Sequence, residues 1–176
     1  KFKKLGLNVD CKTTHAFTLK KFAENNKIKV IPFIDYDFFN KNKKNKKSSF
    51  LNVKHLLDLY TVCIDNMDVF YNKMENYTYN DRCNFKLEDI QDFENIYNKL
   101  IQRGEYTHGM YSKEYVLDII KNNKKIEDYD FAFFDEVQDL DIFQKEILQR
   151  MVAKKVYLFG DNFQNSIDSR EFGLID

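Results

Sequence analysis

The residues best suited to chemistry are carboxylates set at the end of an apolar run. Tyr129-Asp-Phe-Ala-Phe-Phe-Asp135-Glu136-Val137-Gln138-Asp139-Leu140 closes a strand-like stretch with an adjacent acid pair, and Val156-Tyr-Leu-Phe-Gly160-Asp161 follows within one helix length. In an open parallel sheet, ligands collect at the carboxyl ends of the strands, so two strands finishing in acids aim charge at one crevice. Acids so placed hold a hydrated magnesium and the water that attacks a phosphate. Asp135 is the metal-leaning member and Glu136 the one that can take a proton from water, the division of labour that phosphoanhydride hydrolysis needs. The plainer reading of these residues is that they cap the following helix, whose dipole favours negative charge at its start.

The elements that must position this motif are legible in the hydrophobic pattern. Phe131 to Phe134 is continuous and apolar, which predicts a strand covered on both faces. Asp141 with Gln144 three residues on predicts a capping arrangement, and Ile142, Phe143, Ile147, Leu148, Met151 and Val152 predict the inner face of the helix that follows. Val156 to Phe159 is the next expected strand, and a right-handed crossover leaves the two strands parallel with both acidic ends on one edge. Upstream, Ala16, Leu19, Phe22 and Ala23 lie at helical spacing behind Thr13, Thr14 and His15, as in a strand end, a polar turn and a helix start. Asn40 to Ser49 is polar and Lys/Asn-rich, and reads as a solvated loop. Leu56, Tyr60, Cys63, Met67, Phe70 and Met74 alternate steps of four and three, predicting one long helix from Phe50 to about Met74. Leu87, Ile90, Phe93, Tyr97 and Leu100 predict another that stops near Gly104. After a turn at Thr107-His108-Gly109, Ser112 is the expected cap of a short helix carrying Tyr115, Val116, Ile119 and Ile120. His55 and His108 read as structural.

Composition bounds the rest. With 176 residues, 43% hydrophobic and 16% aromatic, the chain can bury one good core or one and a half domains. The 28 basic and 28 acidic residues cancel, so bulk charge selects neither a nucleic-acid nor a membrane partner. Locally, base gathers at Lys1 to Lys4 and Lys41 to Lys47, whereas Glu127 to Asp141 holds seven acids and no base. Cys11, Cys63 and Cys83 are odd in number and lack ligand spacing, which predicts reduced thiols in an intracellular protein of nucleus or cytoplasm, with no disulfide framework or zinc site. No run approaches the roughly 18 to 20 apolar residues of a membrane span, and the first residues are too charged for a signal peptide. The chain does not begin with Met, and we expect it to be a piece of a longer protein.

The order of the motifs carries a resemblance. Asp135-Glu136-Val137-Gln138-Asp139 followed by Gly160-Asp161-Asn162-Phe163-Gln164 resembles the UvrD/Rep-like superfamily 1 DNA helicases, whose Walker B segment reads Asp-Glu-x-Gln-Asp and whose third motif reads Gly-Asp-x-x-Gln. Thr13-Thr14-His15-Ala16-Phe17 looks like the family's Thr-Phe-His-Ser-Phe single-strand contact segment. Thr107-His108-Gly109-Met110-Tyr111-Ser112-Lys113 is similar to the Thr-His-Asp-Gly-Tyr-Leu-Lys stretch of the F-box DNA helicase branch. The likeness runs from residue 1 to about 172, with its specific motifs in the last third. It implies an α/β fold, a P-loop NTPase (RecA-like) parallel sheet portion carrying a helical insertion. Residues 1–24 and 106–176 would belong to the first motor domain and 25–105 to the insertion.

The resemblance also implies roles. Asp135 would hold Mg2+ through water, Glu136 would be the general base, and Gln164 would sense the terminal phosphate of ATP and link it to DNA. Gln138 and Asp139 would support that network, Gly160 and Asp161 would shape the loop, and Arg170, at the family spacing from Gln164, would join the nucleotide-binding set. Thr13 and His15 would touch the backbone of single-stranded DNA, positioning it without reading sequence; the bland alternative is a helix cap with a packed imidazole. Lys41 to Lys47 would meet the phosphates of duplex DNA. The implied activity is ATP-dependent 3′ to 5′ translocation and unwinding, in repair, recombination or replication, with no membrane partner.

Two departures stand out. Ile167 and Ser169 occupy positions where the family places aromatics that stack on bases, leaving Phe172 as the nearest substitute. No Gly-Lys pair occurs among the five glycines, so the phosphate-cradling Walker A loop is expected before Lys1 and the second motor domain after Asp176. Alone, residues 1–176 are therefore expected neither to hydrolyse ATP nor to unwind DNA. The alternative from another class is a non-catalytic helicase-like remnant acting as a DNA- or protein-binding module. A third reading, an unrelated metal-dependent phosphatase, lacks further ligands in the sequence.

Overall fold

The computed structural model describes Gly6 and residues 8–65, 67, 69–70 and 85–160. Within them lie six helices and two small parallel two-stranded sheets, a mixed α/β arrangement. No helix among the described residues is long and apolar enough to cross a membrane.

Helix α1 (Thr14–Asn25) starts where Thr13, in extended conformation, accepts a hydrogen bond from the Ala16 N–H. Residues 8–13 before it form no strand. Strand β1 (Lys29–Val30) leads to α2 (Tyr36–Asn42), capped by Asp35, and α3 (Phe50–Thr61), capped by Ser49. Helix α4 (Leu87–Gln102) ends at Arg103, and Gly104 at φ 65° turns the chain into β2 (Glu105–Tyr106). Strand β2 pairs in parallel with β1, Lys29 opposite Glu105 and Val30 opposite Tyr106. Helix α5 (His108–Lys121), strand β3 (Ile126–Phe134), helix α6 (Ile142–Arg150) and strand β4 (Met151–Leu158) complete the order. Strands β3 and β4 run parallel in register from Ile126–Met151 to Phe134–Leu158, with one irregularity near Asp128.

One set of buried side chains links these elements, from Phe22 of α1 to Ile147 of α6. Its aromatic centre is Tyr60, which meets Phe70, Phe93 and Tyr97 edge to face at centroid distances of 5.1, 5.5 and 5.1 Å. Burying each such side chain stabilises the fold by about 1.5–3 kcal/mol.

Several elements depart from the pattern-based expectations. The long helix expected from Phe50 to about Met74 ends at Thr61; Met74 lies outside the described residues. The cause is Lys113, wholly buried on α5, whose ammonium donates to the carbonyls of Tyr60 (3.1 Å), Cys63 (2.6 Å) and Asp65 (2.7 Å). The Tyr60 carbonyl also accepts the Cys63 N–H at 3.4 Å, so the ammonium and the last backbone bond meet at the helix end, and Cys63 and Phe70 still reach the core. Helix α5 is capped by Thr107 and not by Ser112. The Ser112 hydroxyl is buried against that of Thr18 at 3.5 Å, where it braces α1 on α5. The helix after Asp141 stops at Arg150; Met151 and Val152 take extended conformation and begin β4, pairing with Ile126 and Asp128.

Strand β3 is not covered on both faces. Ala132 is buried, but Phe131 and Phe133 are 55% and 65% exposed and stack beside Tyr157 and Phe159. A continuous apolar run reports strand character without reporting what lies against each face. The Asn40–Ser49 run also differs from a free solvated loop. Asn40 to Asn42 lie in α2, Ser48 is buried, and the Lys44 and Asn45 N–H groups donate to the buried Asp92 carboxylate.

Candidate functional site

The acidic motif occupies the turn by which the chain leaves β3. The last register pair, Phe134 with Leu158, is extended by two hydrogen bonds, Phe159 N–H to the Phe134 carbonyl (2.8 Å) and Val137 N–H to the Phe159 carbonyl (3.0 Å). These bonds tie the exit of β3 to the exit of β4. Between them sit Asp135 and Glu136, both exposed. Glu136 adopts the left-handed conformation, φ 52° and ψ 45°. A non-glycine residue held there costs about 1–3 kcal/mol, and such strain persists only where surroundings fix it.

The fixing contacts are local. The Asp135 carboxylate accepts the Glu136 N–H (3.1 Å), the Gln138 amide donates to the Glu136 carboxylate (2.6 Å), and the Asp139 N–H donates to the Glu136 carbonyl (3.0 Å). Val137 to Asp139 thereby form one turn of 3₁₀ helix. Asp141 then starts α6 through the expected reciprocal capping box with Gln144, at 2.8 and 3.1 Å. Gly160 lies against this turn. A side-chain carbon there would stand 2.8 Å from Val137 Cγ2 and closer still to the Gln138 amide oxygen, so only glycine permits the two strand ends to approach this closely.

The structure thus brings together Asp135, Glu136, Gln138, Asp139 and Gly160. Asp161, Gln164 and Arg170, with Ile167, Ser169 and Phe172, lie outside the described residues. Asp135, Glu136, Asp139 and Asp141 place four exposed carboxylates within seven residues, a concentration that a cation relieves. Among the described residues no group of three His, Cys, Asp or Glu side chains is arranged to hold a metal ion. Magnesium suits this poor donor set, since it keeps several waters and takes only one or two carboxylates.

Thr13 and His15 stand at the start of α1. The Thr13 hydroxyl is engaged as the helix cap. His15 is exposed and meets His108 ring edge to ring face at 6.2 Å, while His108 Nδ1 shares a hydrogen bond with the Tyr111 hydroxyl at 2.8 Å. A crevice lined by Thr14, His15, Thr18, Ser112, Asp141 and Gln144 runs between the first turns of α1 and α6. The segment around Thr13 and the helix that follows the acidic motif are therefore neighbours.

Sequence reasoning gave no structural part to three groups that shape these surroundings. Asp89 and Asp92 are wholly buried acids of α4, and Lys113 is a wholly buried base of α5. Burial draws the Lys113 ammonium down from 10.5 to about 8, against the raising influence of Cys63, Glu114 and Asp65. Burial likewise raises the Tyr97 phenol, and Glu114, which accepts its hydrogen bond, adds to the effect. Asp89 and Asp92 had one available signal, polar residues at consecutive helical steps beside the apolar stripe of α4.

No protein-family model, no curated protein and no solved structure matches the chain.

Proposed function

We propose that residues 126–160 form the magnesium-and-water wall of an ATPase site in a 3′ to 5′ DNA helicase of the UvrD/Rep-like kind, RecA-like in fold. In this reading the phosphate-cradling loop and the second motor domain are supplied from outside the chain. One observation carries it: β3 and β4 are parallel neighbours, and Asp135 and Glu136 leave the first in a turn whose Val137 and Gln138 lie against Gly160 at the end of the second.

Each residue then has a task. Asp135 has one carboxylate oxygen occupied by the Glu136 N–H, and its other oxygen would be the one to hold a hydrated magnesium. Glu136 Oε2 is held by Gln138, which leaves Oε1 to receive the proton of the attacking water. The strained backbone of Glu136 keeps that carboxylate outside the helix ladder and at the strand end. When bound, magnesium neutralises charge on the transferring phosphoryl group. Gln164 would read the terminal phosphate, with Asp161 and Arg170 beside it. Thr13 and His15 would contact single-stranded DNA, and the crevice that His15 shares with Asp141 and Gln144 would give strand contact and hydrolysis a common wall.

The test is Glu136→Gln in the full-length protein. ATP hydrolysis should fall by at least roughly 10²-fold, while ATP binding, measured by equilibrium titration, persists. Hydrolysis undiminished in that variant removes Glu136 from the role of base.

A further inference from the structure

The lysine run has no part in nucleotide chemistry, yet the fold holds it firmly. Asp92, 0% exposed, accepts the N–H groups of Lys44 (2.7 Å) and Asn45 (3.1 Å). Asp89, also 0% exposed, accepts Ser49 N–H (2.7 Å), Asn52 Nδ2 (2.8 Å) and Lys86 N–H (3.1 Å). Asn95 Nδ2 and Lys99 Nζ hold the Asn42 carbonyl at 2.8 and 3.4 Å. Water would satisfy the amides of an ordinary surface loop. Withdrawing two carboxylates from water costs several kcal/mol each before compensation, and the compensation here fixes the path of residues 44–49.

Along that path Lys41, Lys44, Lys46 and Lys47 point into solvent with no acidic partner among the described residues, and Lys43 lies over the Phe39 ring at 5.1 Å. Like charges gathered on a rigid frame repel one another at rest, and a polyanion relieves that repulsion without first having to order the loop. Residues 40–49 are Asn, Lys and Ser alone. Within the run itself there is no aromatic platform for unpaired bases and no apolar anchor for a lipid surface; the exposed Tyr36 and Leu51 flank it. Ammonium groups interleaved with amides suit phosphate and sugar oxygens.

We propose that Lys41–Ser49 is a preorganised site for the phosphate backbone of double-helical DNA, engaged without regard to sequence. The site shares the nucleic-acid partner of the preceding reading but needs neither nucleotide nor hydrolysis, so the two can fail separately.

The experiment is fluorescence anisotropy of a 20-base-pair duplex of mixed sequence with the purified chain, free of nucleotide, across a salt series. Four lysines on phosphates give a log–log salt slope of about −3.6. Changing Lys44, Lys46 and Lys47 together to Gln should bring the slope near −1 and weaken binding at least roughly tenfold at low salt. The same change at exposed Lys121 and Lys125 should leave affinity unaltered. Asp92→Asn separates frame from charge: it makes the chain more positive, so attraction by net charge alone strengthens binding, whereas loss of the frame weakens it several-fold. Circular dichroism checks that this variant folds; if it does not, the surface lysine triple decides. The proposal is overturned by a lysine triple that binds as the parent does, by equal weakening at Lys121 and Lys125, by tighter binding in folded Asp92→Asn, by preference for a single strand of the same length, or by uptake onto phosphatidylserine vesicles with the duplex left free.

Discussion

Replacing Lys113 by Met removes the cation that ends α3 while keeping the length of the side chain. Three hydrogen bonds from a charged group, to the carbonyls of Tyr60, Cys63 and Asp65, are lost at about 2 kcal/mol each. Against this, the native protein holds an ammonium away from water, and the net fall from 10.5 to about 8 corresponds to about 3 kcal/mol. The net expectation is a loss of about 3 kcal/mol, read as the urea midpoint by far-ultraviolet circular dichroism at pH 7. Proton linkage gives an independent sign. The folded ammonium releases its proton more readily than the unfolded one, so between about pH 8 and 10.5 the unfolded chain binds more protons and stability rises with pH. Below pH 8 both states are protonated and the dependence vanishes. By pH 9.5, still below the ordinary range of tyrosine, the wild type should gain about 2 kcal/mol relative to Lys113→Met. A variant as stable as the wild type at pH 7, with a gap that stays constant to pH 9.5, refutes the account of Lys113 as a buried charged brace.

Two further outcomes follow from the strand-end turn. Gly160→Ala forces a carbon to within 2.8 Å of Val137 Cγ2 and against the Gln138 amide; it should destabilise by about 1–3 kcal/mol, with hydrogen exchange speeding at the Val137 and Phe159 amides before the helical core responds. Glu136→Gly relieves the left-handed backbone and should raise the melting temperature, by about 1 kcal/mol of stability, while abolishing the hydrolysis proposed for the full-length protein; a lower melting temperature shows that the Gln138 and Asp135 contacts outweigh the strain.

What could be read from the sequence was what local chemistry decides. The Asp141–Gln144 box, the Leu87–Leu100 stripe and the stop at Gly104 each depend on residues within one or two turns. Parallel pairing of β3 and β4 was legible because a strand, a nine-residue helix and a strand leave little else to build. The break after Thr61 was not, because its cause lies about fifty residues away at Lys113. Likewise, residues 40–49 read as a solvated loop because Asp89 and Asp92, which shape its backbone, are some forty positions downstream. Thr107 and Ser112 are both competent caps, and only the packing of α1, which takes the Ser112 hydroxyl for Thr18, decides between them. At the strand end, pattern alone brought Asp135, Glu136 and Gly160 to one place. The left-handed turn that aims Glu136 has no sequence signature, since glutamate is a poor choice for that conformation.

The two proposed surfaces carry opposite charge, and this bears on how the two proposed ligands would be kept apart. The carboxylates of Asp135, Glu136, Asp139 and Asp141 repel any polyanion that approaches without a cation. The lysines of residues 41–47 attract one, and they are held on the helical segments by Asp89 and Asp92, not on β3 or β4. Screening shortens both influences to about 8–10 Å at physiological salt. On this arrangement duplex binding should ignore magnesium at fixed ionic strength, whereas a polyanion drawn to the strand end would need the metal to bridge it. A duplex affinity that depends on magnesium at constant ionic strength would place the DNA at the carboxylates and contradict the division of labour between the two surfaces.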